Sequence, residues 1–307
     1  MVILFIQLSL HLLIIITIQQ QIHNQMKKLI LLTIGISILL GSCTSSKEDI
    51  KENDWKQYKL SDKVKSLKAT TYKAVEKFGE IEKGDIIPSF ENKQLVFNLE
   101  GKSTEENLYD SDGGLLHKDE YKYDKKGIII EINRYDSDGS LFEKTLSKND
   151  EKGNLVESNI YDSDGNLSSK IVFKCDKEGK INEYNIYDSD GNLEQKYLIK
   201  YDKEGNQVEL NLYDSDGSHS TKNKYDEKGN QVEMIVYRSD GSFSFNNLYK
   251  YDKKGNLTEN ISVDKLDQKW EYKYEYEFDN KGNWIKKIEF LNNMPRVIIE
   301  REIEYFD

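Results

Sequence analysis

The sequence predicts an all-β protein: an antiparallel β-hairpin repeat meander of about sixteen strands, curled into a rolled, barrel-like or spiral shell. Three observations predict it. Tyr-Asp-Ser-Asp-Gly begins at Tyr109, Tyr135, Tyr161, Tyr187 and Tyr213, each 26 residues after the last, and Tyr-Arg-Ser-Asp-Gly follows at Tyr237 after a 24-residue step. A second series interleaves with it, running Tyr123-Asp-Lys-Lys-Gly, Asn149-Asp-Glu-Lys-Gly, Cys175-Asp-Lys-Glu-Gly and on through Tyr201, Tyr225, Tyr251 and Phe278, with Phe97-Asn-Leu-Glu-Gly as a degenerate first member. Between the marks lie eight to ten residues rich in Ile, Val, Leu, Tyr and Thr, and the 307 residues include only 2 Pro. That is the length and composition of paired strands.

In chain order, Val2 to Ile18 is an apolar run with no basic charge before it. Residues 1–25 are expected to be an upstream extension ahead of the true start at Met26. The alternative is a transmembrane segment, which would sit at the bottom of the spanning range and be interrupted by Gln7 and His11. Residues 26–42 read as a signal peptide: Met26-Lys27-Lys28 is a basic start, Leu29 to Leu40 an apolar run, and Leu40-Gly41-Ser42-Cys43 its end. That last tetrapeptide resembles the bacterial lipobox. The resemblance implies that the Cys43 thiol is acylated, with palmitate-type chains, and becomes the membrane anchor at residue one of the mature protein. Residues 43–62 are polar and suit a flexible tether. Within them Lys47-Glu48-Asp49 resembles the export signal of some Bacteroidetes lipoproteins, which implies an outer-membrane lipoprotein displayed on the outer face. The β-repeat domain is expected at 63–307, with regular repeats at 97–263 and a closing cap at 264–307. In the cap Trp270, Tyr272, Tyr274, Tyr276 and Phe278 alternate with Glu271, Lys273, Glu275 and Glu277.

Asp, two polar residues and Gly make a turn, because the carboxylate bonds to backbone amides ahead of it and Gly accepts a left-handed conformation. Successive turns of a meander fall on opposite edges of the sheet, so the Asp-Ser-Asp-Gly turns share one acidic edge. A four-residue loop, with Tyr109 facing Gly114, places Glu105 opposite Lys118, and likewise Glu131 with Lys144, Glu157 with Lys170, Glu183 with Lys196 and Glu209 with Lys222. One face is then polar. The other carries Ile130, Ile132, Val156, Ile160, Ile171, Phe173, Tyr184, Ile186, Leu193, Tyr197, Ile199, Leu210, Leu212, Met234, Val236 and Phe245, too much apolar surface to stay wet. With no helix pattern to cover it, the sheet has to curl on itself.

The motif Tyr-Asp-x-x-Gly-Asn-Leu, as at Tyr161 to Leu167 and Tyr251 to Leu257, resembles the YD or RHS repeat, whose members form curled β-hairpin shells. The resemblance covers roughly residues 97 to 290. The chain lacks the long array, the C-terminal toxin domain and the Gly-Arg-Leu of RHS toxins, so toxin delivery is not implied. The combination with a lipobox looks more like small Bacteroidetes repeat lipoproteins.

Composition narrows the function. The net charge is −11 with Lys27 and Lys28 the only charges before residue 43, so the remainder is more acidic still. Nucleic acid is not expected as a partner. After the leader only His117 and His219 remain among the histidines, and both read as ordinary strand residues; Cys175 reads as a buried thiol. The paired acids Asp110 and Asp112, Asp136 and Asp138, Asp162 and Asp164, Asp188 and Asp190, and Asp214 and Asp216 suggest calcium. The turn reading is preferred, because the loops lack the twelfth-position Glu and successive turns stand roughly 9.5 Å apart. No cofactor is expected. On the polar face Tyr109, Tyr135, Tyr161, Tyr187 and Tyr213 form a row, with Asn107, Asn133, Asn159, Asn185 and Asn211 two residues back. Such rings and amides could stack on and hydrogen-bond a glycan. Paired catalysis by the Glu row is disfavoured, because a Lys opposite each Glu removes the raised-pKa acid that glycoside hydrolysis needs. The expectation is a non-enzymatic, lipid-anchored envelope module that scaffolds or binds a protein, the alternative being a glycan-binding surface lipoprotein.

Overall fold

The computed structural model describes residues 53–215 and 217–307. The leader, Cys43, the first part of the tether and Asp216 lie outside the described residues. A short helix α1 (Asp54–Gln57) is followed by nineteen strands: β1 (Val64–Lys77), β2 (Glu80–Ile86), β3 (Lys93–Phe97), β4 (Ser103–Tyr109), β5 (Leu115–Tyr123), β6 (Ile129–Asp136), β7 (Leu141–Asn149), β8 (Leu155–Asp162), β9 (Leu167–Cys175) and β10 (Ile181–Asp188). The series continues with β11 (Leu193–Tyr201), β12 (Gln207–Asp214), β13 (Gly217–Tyr225), β14 (Gln231–Tyr237), β15 (Phe243–Tyr251), β16 (Leu257–Asp264), β17 (Lys269–Phe278), β18 (Trp284–Leu291) and β19 (Met294–Tyr305). From β3 to β19 every strand pairs antiparallel with the next, the meander read from the repeats.

The ring closes through β1. One edge of β1 pairs with β19, with Leu67 opposite Ile303, and the other pairs with β3, with Leu67 opposite Leu95. Eighteen strands make the barrel, and β2 hangs from the second half of β1 outside the ring, with Val75 opposite Glu82. The expected cap is therefore wall: β17, β18 and β19 continue the sheet, and β19 is its seam with β1. The inner face buries Ile132, Ile171, Phe173, Tyr184, Ile186, Tyr197 and Ile199, with the Tyr184 and Tyr197 rings stacked at 4.2 Å. Along β12 to β18 inner residues such as Met234, Phe245 and Trp270 are only half-buried, as expected of a ring too wide for side chains to fill throughout.

The turns behave as their chemistry predicts. Asp162 Oδ1 accepts the amides of Asp164 at 3.0 Å and Asn166 at 2.8 Å, while Gly165 N–H donates to Asp162 O at 3.1 Å. The loop proper is shorter than expected: in the second turn of the first series Asp136 N–H closes on Ser140 O at 2.9 Å, leaving three residues between, with Gly139 left-handed at φ 83. A bulge in the outgoing strand then shifts the register between Arg134 and Tyr135. Loop and bulge together move the pairing by two residues. Asn133 thus faces Lys144, Asn159 faces Lys170 and Asn185 faces Lys196, and the Glu105–Lys118, Glu131–Lys144, Glu157–Lys170 and Glu183–Lys196 pairings are corrected. A two-residue shift preserves the faces along most of each strand, but at the bulge Leu193, expected on the apolar face, stands opposite Tyr187 and is 54% exposed. Only hairpin β12–β13, two residues shorter and without the bulge, has the expected register, with Glu209 opposite Lys222. Bulges at the other end of the hairpins explain why Ile129 is buried and Ile130 is 38% exposed.

The expected ion pairs still form diagonally, Lys144–Glu131 (3.4 Å), Lys170–Glu157 (2.7 Å) and Lys196–Glu183 (3.6 Å), and the glutamates meet a second lysine on the opposite side. Across the second turn series Lys122–Glu131 (2.7 Å), Lys148–Glu157 (2.8 Å), Lys174–Glu183 (2.8 Å), Lys200–Glu209 (2.9 Å) and Lys250–Glu259 (2.9 Å) form a ladder around the outer wall. A barrel wall facing lipid is apolar at this height, and this one is charged.

The repeated tyrosine of the second series also has a purpose. Its hydroxyl donates to a carbonyl at the foot of the preceding hairpin: Tyr123 to Ser103 O (2.6 Å), Tyr201 to Ile181 O (2.8 Å), Tyr225 to Gln207 O (2.9 Å) and Tyr251 to Gln231 O (2.8 Å). Cys175 takes the same place with its Sγ 3.8 Å from Leu155 O, and it is half-buried rather than fully buried.

Residues 53–62, expected to be tether, are docked. Asn53 caps α1 through Lys56 N–H (3.3 Å), and Trp55 packs with Val64, Leu67, Leu95, Phe97 and Ile299 while its Nε1 donates to Val64 O at 2.8 Å. The segment reaches turns on two arcs of the ring. Asp54 N–H meets Gly101 O at 2.7 Å, Lys59 Nζ meets Gly255 O at 2.8 Å, and Ser61 N–H meets Asn283 Oδ1 at 2.6 Å. It crosses the barrel end that carries the second turn series.

Candidate binding surfaces

The Tyr–Asn row is assembled on the outer wall as expected, but its groups are differently engaged. Each Asn amide donates to the Glu two residues back: Asn107 to Glu105 (2.6 Å), Asn133 to Glu131 (2.8 Å), Asn159 to Glu157 (2.8 Å), Asn185 to Glu183 (3.1 Å) and Asn211 to Glu209 (2.7 Å). Asn107, Asn133 and Asn185 are buried. Lysines of the intervening strands stand beside the rings, with Lys118 facing Tyr135, Lys144 facing Tyr161, Lys170 facing Tyr187 and Lys196 facing Tyr213. Lys118 Nζ lies 4.9 Å from the Tyr135 ring centre, a cation–π contact. Tyr109 donates to Gln94 at 3.2 Å. Tyr213, 43% exposed, is the most open ring of the five.

The carboxylates of Glu131, Glu157, Glu183 and Glu209 are held ionised. The hydrogen bond from Lys122 brings Glu131 down to about 2, and those from Lys148, Lys170 and Asn159 do the same for Glu157. Glu183 is lowered by Lys174, and Glu209 by Asn211 and Lys200. Folded values below the unfolded one mean that the stabilisation is complete above pH 4.5 and disappears as pH falls from 4.5 toward 2. Denaturant midpoints measured at stepped pH are expected to fall through that window, each exposed pair contributing a few tenths to about 1 kcal/mol.

The acidic turns spend their carboxylates on their own backbone. Asp110 Oδ1 accepts the amides of Asp112 (2.9 Å) and Gly114 (2.7 Å), and Asp188 Oδ1 those of Asp190 (3.0 Å) and Asn192 (2.8 Å). In the turn at Asp136 the acceptor is Asp138, bonded to Ser140 N–H at 2.9 Å. Asp162 is lowered chiefly by the Asn166 amide and Asp188 by the Asn192 side chain. Asp164 stands in the Asp162 turn, and Asp214 ends β12 opposite Gly217. Among the described residues no three His, Cys, Asp or Glu side chains come together as a metal site.

One cluster is not visible in a pattern of apolar alternation. On the inner wall of β3 to β7, Lys93 bonds Glu106 (3.0 Å), Tyr121 Oη donates to Glu106 (3.3 Å), and Arg134 clasps Asp119 with two bonds (2.7 and 2.8 Å) while approaching Glu143 (3.7 Å). Burial pushes the Glu143 carboxyl up, and His117 is pushed down by burial and by Arg134. Laying the repeats over one another reveals the cluster: Glu106 takes the place of Ile132, Ser158, Tyr184 and Leu210, and Asp119 that of Thr145, Ile171 and Tyr197.

No protein-family model matches the chain, and no curated relative does. Among solved structures it is similar to a porin-like protein from Bacteroides uniformis, at 11% identity and a TM-score of 0.39 over 80% of this chain and 98% of that one. It is also similar to the Photorhabdus luminescens Tc holotoxin pore, at 11% identity and a TM-score of 0.30 over 70% of this chain and 16% of that one.

Proposed function

We propose that the protein is a non-catalytic, lipid-anchored barrel of the cell envelope that scaffolds a protein partner through the β1–β2 hairpin. The observation that carries this reading is the hairpin itself. In a closed ring every strand has two neighbours, yet β2 pairs with β1 alone among the described residues, and the β1–β19 ladder ends at Lys73, short of Ala74 to Lys77. Phe78 at the tip is fully exposed. Unpaired backbone beside an exposed aromatic ring is how an extended segment of another protein is received, by strand addition. Glu80, Glu82 and Asp85 against one Lys83 on β2 favour a partner strand that carries basic residues. The non-enzymatic part of the reading is supported by the ionised Glu row, which holds no proton to donate, and the anchoring part by Cys43.

A photo-crosslinking amino acid in place of Phe78, in cells that make the protein, is expected to give a discrete adduct that disappears when Ile81→Pro removes a backbone donor from β2. A Cys43→Ala chain is expected to leave the membrane fraction. An adduct unaffected by Ile81→Pro, or none, would overturn the strand-addition reading.

A further inference from the structure

The shortened hairpin makes a notch in the rim. In β12–β13 Asp214 faces Gly217 directly, two residues fewer than in the flanking hairpins, whose turns at 188–192 and 238–242 stand on either side. The short turn leans on its neighbour: a Cβ at Gly217, whose φ is +116, would lie 2.6 Å from Ser239 Cβ, so only glycine fits. Tyr213 stands in the notch with a groove on each side. One, of about 790 Å³, is lined by Asp188, Asn192, Lys196 and Asp214 among others. The other, of about 310 Å³, is lined by Ser218, His219, Ser220, Lys222, Arg238 and Ser239 between the rings of Tyr213 and Tyr237.

The second groove reverses the sign of the edge that contains it. Every earlier turn of this series opens with Asp; this one opens with Arg238. Among the described residues no carboxylate lines the groove, although Glu209 faces Lys222 across the ladder. Lys222 Nζ lies 5.4 Å from the Tyr237 ring centre, which leaves Tyr213 as the open aromatic face. An open aromatic ring, two basic side chains and three serine hydroxyls make a site for a flat-faced, hydroxyl-rich ligand that carries a negative charge. A peptide fits less well, because β12 and β13 are paired on both edges and offer it no backbone ladder.

We propose that this notch binds an acidic saccharide, a sugar bearing a carboxylate or sulfate, with its ring stacked on Tyr213, its anionic group in the Lys222–Arg238 groove, and the continuing chain in the groove beside Asn192 and Lys196. The site is separate from the β1–β2 hairpin and stands or falls without it.

The test is calorimetric titration of the purified full-length chain in detergent with a chondroitin sulfate tetrasaccharide, a galacturonate tetrasaccharide, a neutral glucose tetrasaccharide, inorganic sulfate and an acidic peptide of equal charge. Saturable binding of either acidic saccharide is expected. It should weaken at least tenfold in Tyr213→Ala and in Arg238→Asp, which restores the acid of the other turns, and be unchanged in Tyr161→Ala. Both substitutions fall on the rim, and thermal unfolding will verify that the variants fold. Four results would each overturn the proposal: no binding of an acidic saccharide by folded protein, equal binding of the neutral tetrasaccharide, equal binding of sulfate or the peptide, or equal losses in Tyr161→Ala and Tyr213→Ala.

Discussion

Replacing Asp119 with alanine is expected to destabilise the barrel by about 3–5 kcal/mol, because it leaves the Arg134 guanidinium buried with no carboxylate in hydrogen-bond contact. The pair is almost fully enclosed, Asp119 at 2% and Arg134 at 6% exposure, and Glu143 at 3.7 Å is a poor substitute. The cost comes from stranding a charge rather than from the worth of the pair itself, and the repeats supply a control for that distinction. Two repeats on, the equivalent positions are Ile171 and Ile186, which face each other across β9 and β10. The double variant Asp119→Ile, Arg134→Ile reproduces that apolar pair and is expected to recover most of the loss, short of what Glu143 then forfeits. Urea midpoints at constant m-value read both results. A double variant as unstable as the single would show that the charges themselves hold this part of the wall.

Trp55→Ala is expected to cost about 3–5 kcal/mol as well, by opening a cavity where the indole sits against Phe97 and Leu67. Loss of the Nε1 bond leaves Val64 O, at the start of β1, without that donor. Because α1 reaches both the Gly101 turn and, through Lys59 and Ser61, the turns at Gly255 and Asn283, the damage should spread to the rim. Hydrogen exchange is expected to accelerate at these turns while the amides of β9 to β11 keep their protection. Uniform acceleration would mean that the docked segment 53–62 and the wall unfold as one unit.

The periodicity of Tyr-Asp-Ser-Asp-Gly made the meander, the alternate placement of turns and the two faces legible, since each follows from spacing and local turn chemistry. Register was legible only modulo two. The outgoing strand of most hairpins carries a bulge, as at Phe142, and nothing in a single repeat distinguishes the loop that has one from the loop that does not. The 24-residue step did hold that information: it is the hairpin without the bulge, and there the Glu209–Lys222 pairing stands. Trp55 was hidden by its surroundings, one aromatic ring in a polar stretch. The strand number fell short because β1, β2 and β3 precede the first full repeat. Of the Tyr–Asn row, position was readable and availability was not, since the Asn amides turn to glutamates on their own strand. The inner charges escaped a search for alternating apolar residues, which treats the repeats as alike.

The seam between β1 and β19 joins strands more than two hundred residues apart in sequence. Every other neighbour in the ring can zip locally, hairpin after hairpin, as the chain is made, whereas the seam waits for the final strand. Until then β1 keeps one edge bare and the inner wall stays open to water. Closure is the high-entropy step of assembly and the one most exposed to chaperones, proteases and mispairing with a second chain. Its rate, rather than the stability of any one hairpin, should govern how much intact protein a cell accumulates.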